Sequence, residues 1–351
     1  MRGTFPEKVP LKNRIFQIHP TPEKRISCTE GTGFCRPNSE KTGEENMPEN
    51  IKIGILGGDR RLLITAECLS ASYECAVWGY AAVYGGEDEH YLKNTVRCAD
   101  PESAVKCSDA VILPLPASTD GLRLNCPLAV RGNTAETPDV RLLALCEAMP
   151  HGSILLGGML PSVVKKFAAE HGVTALDYYD SEELQIKNSI PTAEGAVAAC
   201  IHTLPFTVAG MRAAVFGYGR VGRTLAGRLK ALGADVFAVA RSRRDLSNAA
   251  CDGCIPVPLD EYRSFPLHCD AVFNTVPHRI FDAELLARIP RGTVLFELAS
   301  GNIGVDTAAA EENGIRVIPL PSLPGKTAPQ TAGEIICSVV RGMLDDHFSG
   351  R

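Results

Sequence analysis

Strands, glycine-rich turns and helices alternate twice along the sequence, and this pattern predicts an α/β protein with two doubly wound parallel-sheet domains. Three observations support the prediction. Short apolar runs end in turn-forming residues, helical patterns lie between these runs, and the series starts again near residue 207. The chain of 351 residues also has the length of two domains with a tail.

Composition argues against several classes of protein. Hydrophobic residues make up 45% and charged residues 22% of the chain, which is typical of a globular protein. The formal net charge of −5 argues against nucleic-acid binding, because a binder needs a basic face to displace counterions from phosphate. No apolar stretch approaches the ~20 residues of a membrane span. Thirteen scattered cysteines fit a reducing compartment, so we expect a cytoplasmic protein.

The first 50 residues differ from the rest of the chain. They are rich in Pro, Lys, Glu, Thr and Ser and contain no apolar core of the signal-peptide kind, so we predict a disordered extension over residues 1–50. A strand at 51–56 follows, then the turn Gly57-Gly58-Asp59 and a helix over 61–69. Apolar runs that end in breakers predict two further strands, at 110–114 and 153–157. We predict that residues 51–190 form an N-terminal α/β substrate domain.

A second series of strands and helices is predicted after a connecting helix. Pro191 is placed where a helix start tolerates proline, so we predict a helix over 192–203 inside an interdomain segment, 191–206. Residues 207–322 then form the second domain. Its six strands are predicted at 212–216, 235–240, 255–257, 271–274, 293–298 and 316–318. A last helix, over 331–344 within residues 323–351, is expected to pack back on the first domain.

The most informative motif lies between the first strand and the first helix of this second series. It is the run Gly217-Tyr218-Gly219-Arg220-Val221-Gly222. The first glycine allows a tight turn, the second allows the backbone to approach a pyrophosphate, and the third allows the helix to pack close to the strand. The helix N-terminus adds unpaired N–H groups and a positive dipole. These six residues therefore predict a Rossmann domain that binds a nicotinamide dinucleotide.

Basic residues follow the second strand of this domain, where an NAD enzyme carries Asp or Glu. The run is Arg241-Ser242-Arg243-Arg244. Guanidinium and hydroxyl groups bind a 2′-phosphate through charge-assisted hydrogen bonds, whereas a carboxylate would repel it. We therefore predict NADP, with Arg241 and Ser242 as the main contacts and Arg243 as a further one. The alternative is a solvated basic loop.

Two later strand ends are predicted to form the wall of the nicotinamide pocket, since polar groups at strand ends face the crevice of such a sheet. Asn274, Thr275 and Pro277 close one strand, and Ala299 and Ser300 close the next. The alternative for each is an ordinary strand-end turn.

The first domain and the domain junction carry the candidate catalytic residues. Asp59 and Arg61 follow the first strand, where an arginine can bind a small carboxylate in a two-pronged manner. The alternative is a helix N-cap with a solvated arginine. Ser189, Thr192 and Glu194 lie at the junction. We consider Asp59, Ser189 and Glu194 for acid, base or orienting roles, and Arg61 and Thr192 for holding carboxylates. The histidines show no metal-ligand spacing, so no metal is expected.

Taken together, these motifs resemble one family, the A subunits of dipicolinate synthase. The matching motifs run in order from residue 51 to about residue 345. They are Gly57-Gly58-Asp59 with Arg61, Asn188-Ser189-Ile190-Pro191-Thr192 with Glu194-Gly195, Gly217 to Gly222, Ala240-Arg241-Ser242, Asn274-Thr275 with Pro277, Leu298-Ala299-Ser300, and Leu323-Pro324-Gly325 with Ala328-Pro329 and Thr331-Ala332-Gly333.

The resemblance implies an NADP-dependent oxidoreductase on a branch of the lysine pathway. It implies oxidation of a dihydrodipicolinate-level precursor to dipicolinate, by hydride transfer to the nicotinamide, in the mother cell of a sporulating bacterium. It also implies that the partner is the flavodoxin-like B subunit of dipicolinate synthase, and a homo-oligomer is a further possibility. The substrate of this family is a small dicarboxylate, which gives Arg61 a chemical purpose.

This sequence departs from the family pattern in two places. The family tends to have Pro-Gly-Gly after the residue at Ser300, whereas Gly301-Asn302-Ile303-Gly304 stands here, and residues 1–46 have no family counterpart. Two alternative functions stay open. One is an NADP-linked ketone or hydroxyacid reductase of the shikimate dehydrogenase type, and the other is a non-catalytic NADP-binding scaffold for a partner protein.

Overall fold

The fold contains two parallel sheets of six strands each, which confirms the predicted fold class. The computed structural model describes residues 51–130, 137–299 and 304–349. The predicted disordered extension, residues 1–50, lies outside the described residues, and the proposed domain boundaries stay predictions.

The first sheet has the strand order β3-β2-β1-β4-β5-β6. Its strands and helices are β1 Lys52–Leu56, α1 Arg60–Ser70, β2 Glu74–Trp78, β3 Thr95–Arg97, α2 Pro101–Lys106, β4 Ala110–Ile112, α3 Leu142–Ala148, β5 Ile154–Gly157, α4 Ser162–Glu170, β6 Thr174–Asp177 and α5 Glu182–Thr203. The sequence analysis found β1, β4 and β5 but missed β2, β3 and β6. The edge strands β3 and β6 are short and half exposed, so they lack the apolar run that marks a buried strand.

The second sheet has the order β12-β11-β10-β7-β8-β9, with β7 at the point where the strand order reverses. Its elements are β7 Arg212–Phe216, α6 Arg220–Ala231, β8 Asp235–Ala240, α7 Arg243–Cys251, β9 Ile255–Pro258, α8 Leu259–Ser264, β10 Ala271–Asn274, α9 Ala283–Leu286, β11 Val294–Glu297, α10 Thr307–Glu312, β12 Arg316–Pro319, α11 Leu323–Thr327 and α12 Pro329–Ser349. All six predicted strands of this sheet are present, with bounds that differ by at most one residue.

The predicted start of the connecting helix was wrong. Helix α5 begins at Glu182, capped by the Ser181 side chain, and Pro191 lies in its interior. An interior proline removes one helical N–H, but nearby hydroxyls bond carbonyls in the same turns: Ser189 Oγ donates to Ile186 O at 2.6 Å and Thr192 Oγ1 to Asn188 O at 2.7 Å. The helix continues through Pro191, and α5 runs 22 residues from the first sheet to the second.

The C-terminal helix returns to the first sheet, as predicted. Its apolar residues Ile336, Val340 and Leu344 belong to the buried core that also contains Ile53 and Leu63. Helix α12 packs on α1 so closely that a methyl group at Gly333 would lie 2.6 Å from the Arg61 main-chain oxygen. The Thr65 hydroxyl bonds the Gly333 carbonyl at 3.0 Å. The last helix thus completes the core of the first sheet.

Within the described ranges, no helix combines the length and the apolar character that crossing a membrane would require.

Two glycines of α12 provide a matched test of this packing. Gly333→Ala should lower the free energy of unfolding by about 1–3 kcal/mol, because its methyl group meets the α1 backbone. Gly342→Ala, in the same helix, has no atom within 4 Å of the new methyl group and should stabilise the protein by about 0.5–1 kcal/mol. Urea unfolding measures both. Equal effects of the two substitutions would contradict the close helix contact.

Candidate functional site

A cleft of about 530 Å³ lies where the carboxyl ends of strands from both sheets meet. From the second sheet it is lined by the turn between β7 and α6 and by the residues that follow β10 and β11. From the other side come residues after β4 and β5, the first half of α5, and the start of α11. Ligands of doubly wound sheets bind at this position, outside the strand ends at the point of order reversal.

The glycine turn has the geometry of a phosphate cradle. A methyl group at Gly222 would lie 2.0 Å from the Gly217 carbonyl oxygen, so only glycine lets α6 approach β7 in this way. Gly219 caps α6, and a methyl group there would have no atom within 4 Å. The backbone at Gly219 is therefore open to the cleft, next to the unpaired N–H groups of the first turn of α6. These residues fit a dinucleotide pyrophosphate.

The side chains inside the motif point to other partners. The Tyr218 hydroxyl donates to Asp252 Oδ2 at 2.9 Å, and burial raises the pKa of this phenol. Arg220 forms a two-pronged ion pair with Glu182 at 2.9 and 2.6 Å, and the Arg220 hydrogen bonds lower the pKa of that carboxyl. The Tyr218 and Arg220 side chains thus have partners within the protein, and the Arg220–Glu182 ion pair links α6 to α5.

The basic run after β8 lies at the rim of the cleft. Arg241, Ser242 and Arg243 are exposed and do not line the cavity. Ser242 caps α7 by accepting the Asp245 N–H at 3.3 Å, and Asp245 itself lines the cavity. The side chains of Arg241 and Arg243 form no hydrogen bond or ion pair within the described part of the chain. Both guanidinium groups are therefore available to an anion that reaches the end of β8.

The residues predicted for the nicotinamide wall have different positions. Thr275, Pro277 and Ala299 line the cleft, as does Val221 of the glycine turn. Ser300 lies outside the described residues. Asn274 does not face the cleft, because it is fully buried and its amide bonds a neighbouring carboxylate.

Asp59 and Arg61 bind each other. Asp59 caps α1 by accepting the Arg61 N–H at 3.0 Å, as the N-cap alternative states. Arg61 also donates from Nε and Nη2 to the Asp59 carboxylate, at 3.0 and 2.8 Å, and from Nη2 to the Leu115 carbonyl. Its side chain is only 9% exposed, so the solvated arginine of the alternative was wrong. Arg61 lines the cleft, and its Nη1 makes no hydrogen bond within the described residues.

The three junction residues have different surroundings. Ser189 lines the cleft but is 3% exposed, and its hydroxyl shares a 2.8 Å hydrogen bond with Thr224 of α6. Thr192 lines the cleft and donates its hydroxyl proton to Asn188 O. Glu194 lies elsewhere, half exposed, with Arg228 Nε at 3.4 Å from its carboxylate. Ser189 is thus a contact between helices, and Glu194 is not part of the described cleft lining.

Sequence reasoning missed several residues on the first-sheet side of the cleft. They are Leu115, Pro116, Met159, Tyr179 and Gln185. Met159 has a left-handed backbone with a φ of 54°, its N–H donates to Asp177 Oδ1 at 2.9 Å, and its side chain is 48% exposed. Two of these residues could have been predicted from their positions, because Leu115 and Met159 follow the ends of β4 and β5, and strand ends of such a sheet face the cleft.

Metal-dependent chemistry has no candidate centre in the described ranges. No group of three or more His, Cys, Asp or Glu side chains there could hold a metal ion. The cleft instead offers backbone N–H groups and arginine, which bind anionic organic ligands.

Comparison with known proteins divides the chain near the boundary between the two sheets. Residues 52–179 match the N-terminal domain of the dipicolinate synthase A subunit. Residues 174–312 match the NAD-binding domain of D-isomer specific 2-hydroxyacid dehydrogenases. The second match agrees with the glycine turn and confirms a nicotinamide dinucleotide-binding domain of the oxidoreductase kind.

Individual relatives cover nearly the whole described chain. The dipicolinate synthase A subunit from Bacillus subtilis (strain 168) is 29% identical over 300 residues, which are 85% of this chain and 97% of that protein. The crystal structure of the same enzyme's A subunit from Bacillus halodurans has a TM-score of 0.76 at 27% identity, over 85% of this chain and 99% of that one. That of the A chain from Bacillus subtilis has a TM-score of 0.75 at 28% identity, over 87% and 99%. The predicted resemblance is confirmed.

Two glycines of the α6 region test the phosphate cradle. Gly219→Ala adds a methyl group in open space on the cleft side, so the protein should fold normally but bind a dinucleotide at least about tenfold more weakly, because the backbone can no longer approach the pyrophosphate. Gly227→Ala, also with no atom within 4 Å, is the matched control and should bind as the wild type does. Calorimetric titration measures both, and normal binding by Gly219→Ala would contradict the assignment.

Proposed function

We propose that this chain, which is similar to the dipicolinate synthase A subunits, oxidises a dihydrodipicolinate-level precursor to dipicolinate with NADP as the hydride acceptor. One observation carries the proposal: the glycine cradle of the second sheet and the buried guanidinium of Arg61 from the first sheet line the same cleft. A dinucleotide and a dicarboxylate can therefore meet in one site between the sheets.

Residues at the strand ends of the second sheet would hold the cofactor. The turn from Gly217 to Gly222 and the N-terminus of α6 would bind its pyrophosphate through N–H donors and the helix dipole. Arg241, Ser242 and Arg243 at the end of β8 would receive the 2′-phosphate of its adenosine ribose. Thr275, Pro277 and Ala299 would form the wall beside its nicotinamide. When bound, NADP supplies an electron-poor ring that accepts a hydride.

The substrate lies on the first-sheet side, with its carboxylates held by donors. Arg61 contributes the free Nη1, while Asp59 fixes the orientation of the guanidinium. Thr192 donates its proton to Asn188 O, so we assign the second carboxylate to the Asn188 side-chain amide, which lines the cleft nearby. One hydride and one proton leave the ring, and the aromatic product supplies the driving force. The Asp59 carboxylate is already hydrogen-bonded to Arg61, so we assign the proton to water in the cleft and not to Asp59.

The partner protein and the cellular setting belong to the proposal because the relatives are named as one component of dipicolinate synthase. We propose that the partner is a flavodoxin-like B subunit of that enzyme and that the location is the mother cell of a sporulating bacterium. The 351-residue chain, alone and with that partner, should form NADPH from the lysine-pathway precursor. Binding of NADP without turnover in either case would favour the scaffold function, and NADPH formation from 2-hydroxy acids would favour the reductase.

The first prediction from this proposal concerns the choice of cofactor. Arg241→Ala should raise the Kd for NADP about tenfold and leave the Kd for NAD within about twofold, because only NADP carries the phosphate that Arg241 contacts. The control is Arg228→Ala, in α6 beside Glu194 and outside the cleft lining, which should change neither value. Titration of both dinucleotides measures the ratio. A wild-type protein that binds both equally well would contradict NADP specificity.

The second prediction concerns the substrate carboxylate. Arg61→Lys keeps the charge but loses the planar fork, so kcat/KM for the precursor should fall about a hundredfold while the Kd for NADP stays unchanged. The neighbouring Arg60→Ala removes an exposed arginine paired with Asp88 and should leave both constants unchanged. Steady-state kinetics with a parallel NADP titration decides the matter. Full turnover by Arg61→Lys would remove Arg61 from the substrate site.

A further inference from the structure

A buried carboxylate with no role in the proposed reaction lies beside the cleft. Glu297 ends β11 and is 2% exposed, and Asn274 ends the adjacent strand β10 and is fully buried. The two residues are opposite each other in the parallel ladder. Asn274 Nδ2 donates to both carboxylate oxygens of Glu297, at 2.9 and 3.1 Å. The pair therefore joins the carboxyl ends of two neighbouring strands.

Each member of the pair also shapes the turn that follows its own strand. Asn274 Oδ1 accepts the Val276 N–H at 3.1 Å, and Glu297 Oε1 accepts the Ala299 N–H at 2.8 Å. The residues in these turns, Thr275 and Ala299 among them, line the cleft. One connected set of hydrogen bonds thus sets the shape of both turns and the distance between them.

A third segment encloses the pair. A methyl group at Gly304 would lie 2.1 Å from Asn274 Nδ2 and 2.7 Å from Glu297 Oε2. The Gly304 carbonyl accepts the N–H groups of Ile280 and Phe281, both at 3.0 Å, which fixes this segment against the loop after β10. The geometry leaves the two side chains no room to change partners.

Glu297 is an acidic residue in a buried position, which is unfavourable for folding unless another requirement keeps it there. Burial raises the pKa of Glu297, and the hydrogen bonds from Asn274 and the Ala299 N–H oppose that rise. Within the described part of the chain, Glu297 forms no ion pair with Lys, Arg or His. A buried carboxyl group without a cation costs folding free energy that an apolar side chain would not. Its presence at this place points to a requirement for defined geometry.

We propose that Glu297 and Asn274 are positioning residues that hold the nicotinamide-side wall at the spacing a bound dinucleotide needs. The inference rests on the proposed function, because it takes this wall to be the one that meets the nicotinamide. The pair does not touch the reacting atoms. It acts through Thr275, Leu298 and Ala299, which do line the cleft.

The polarity of the pair allows a swap experiment on the whole chain. Glu297→Gln places a donor against the Asn274 donor, and Asn274→Asp places an acceptor against the Glu297 acceptors. Each single variant should raise the Kd of the tighter-binding dinucleotide about tenfold. The double variant E297Q/N274D restores one donor to one acceptor and should bind within about threefold of the wild type. Titration with NADP and NAD measures binding, and thermal unfolding runs in parallel.

Two further variants complete the experiment, one as a control and one as a second way to disturb the pair. Glu284→Gln removes an exposed carboxylate paired with Arg288 at 3.1 Å and should bind as the wild type does. Gly304→Ala should lose affinity as the single variants do, because its methyl group displaces the pair.

Several outcomes would overturn the inference. Single variants with wild-type Kd values would do so, and so would a double variant no better than the singles. If the single variants fail to fold, the double variant alone decides by the same threefold limit. A wild-type chain that binds NADP without oxidising the precursor removes the proposed reaction but leaves this test intact, and a chain that binds neither dinucleotide removes both.

Discussion

The close approach of main chains at glycine is the constraint on which the cleft depends. At Gly222 the first turn of α6 lies against the Gly217 carbonyl, which aims the helix N-terminus into the cleft. At Gly195 helix α5 meets α11, where a methyl group would lie 2.7 Å from Thr327 Oγ1. At Gly333 helix α12 lies against the backbone of α1. A side chain at Gly222 or Gly195 would separate elements that line the cleft, and one at Gly333 would disturb the packing of α1, the helix that carries Arg61.

Helix α5 connects the two halves of the site. Glu182 at its start binds Arg220 at the start of α6, and Ser189, two residues before Pro191, binds Thr224. The Arg220–Glu182 pair is largely exposed and stabilises the fold little, whereas the Ser189–Thr224 contact is partly buried. Both contacts fix the cofactor helix relative to the helix that carries Asn188 and Thr192. Substrate-side and cofactor-side groups are therefore held by one rigid element.

The electrostatics of the cleft oppose the net charge of the chain. The formal charge is −5, yet the cleft presents the positive end of α6 and the guanidinium of Arg61. Asp59 partly neutralises the positive charge of Arg61 and holds the guanidinium in one orientation. The Nη1 group therefore presents its N–H donors in a fixed direction. Anionic ligands are favoured inside the cleft by these local groups, although the formal net charge of the chain is negative.

The amino-acid sequence by itself determined the fold class, the six strands of the second sheet and the glycine turn, because strand periodicity and glycine spacing are local properties of the chain. It also pointed to Arg61, Thr275 and Ala299, since strand ends of parallel sheets converge. Only the tertiary structure decided which side chains face the cleft. Glu194 and Asn274 do not, and Met159 does, because burial and partner choice depend on segments far apart in sequence. The start of α5 was decided in the same way. Local rules would begin the helix at Pro191, whereas α5 begins at Glu182 and contacts α6, as in the hydrogen bond between Ser189 and Thr224.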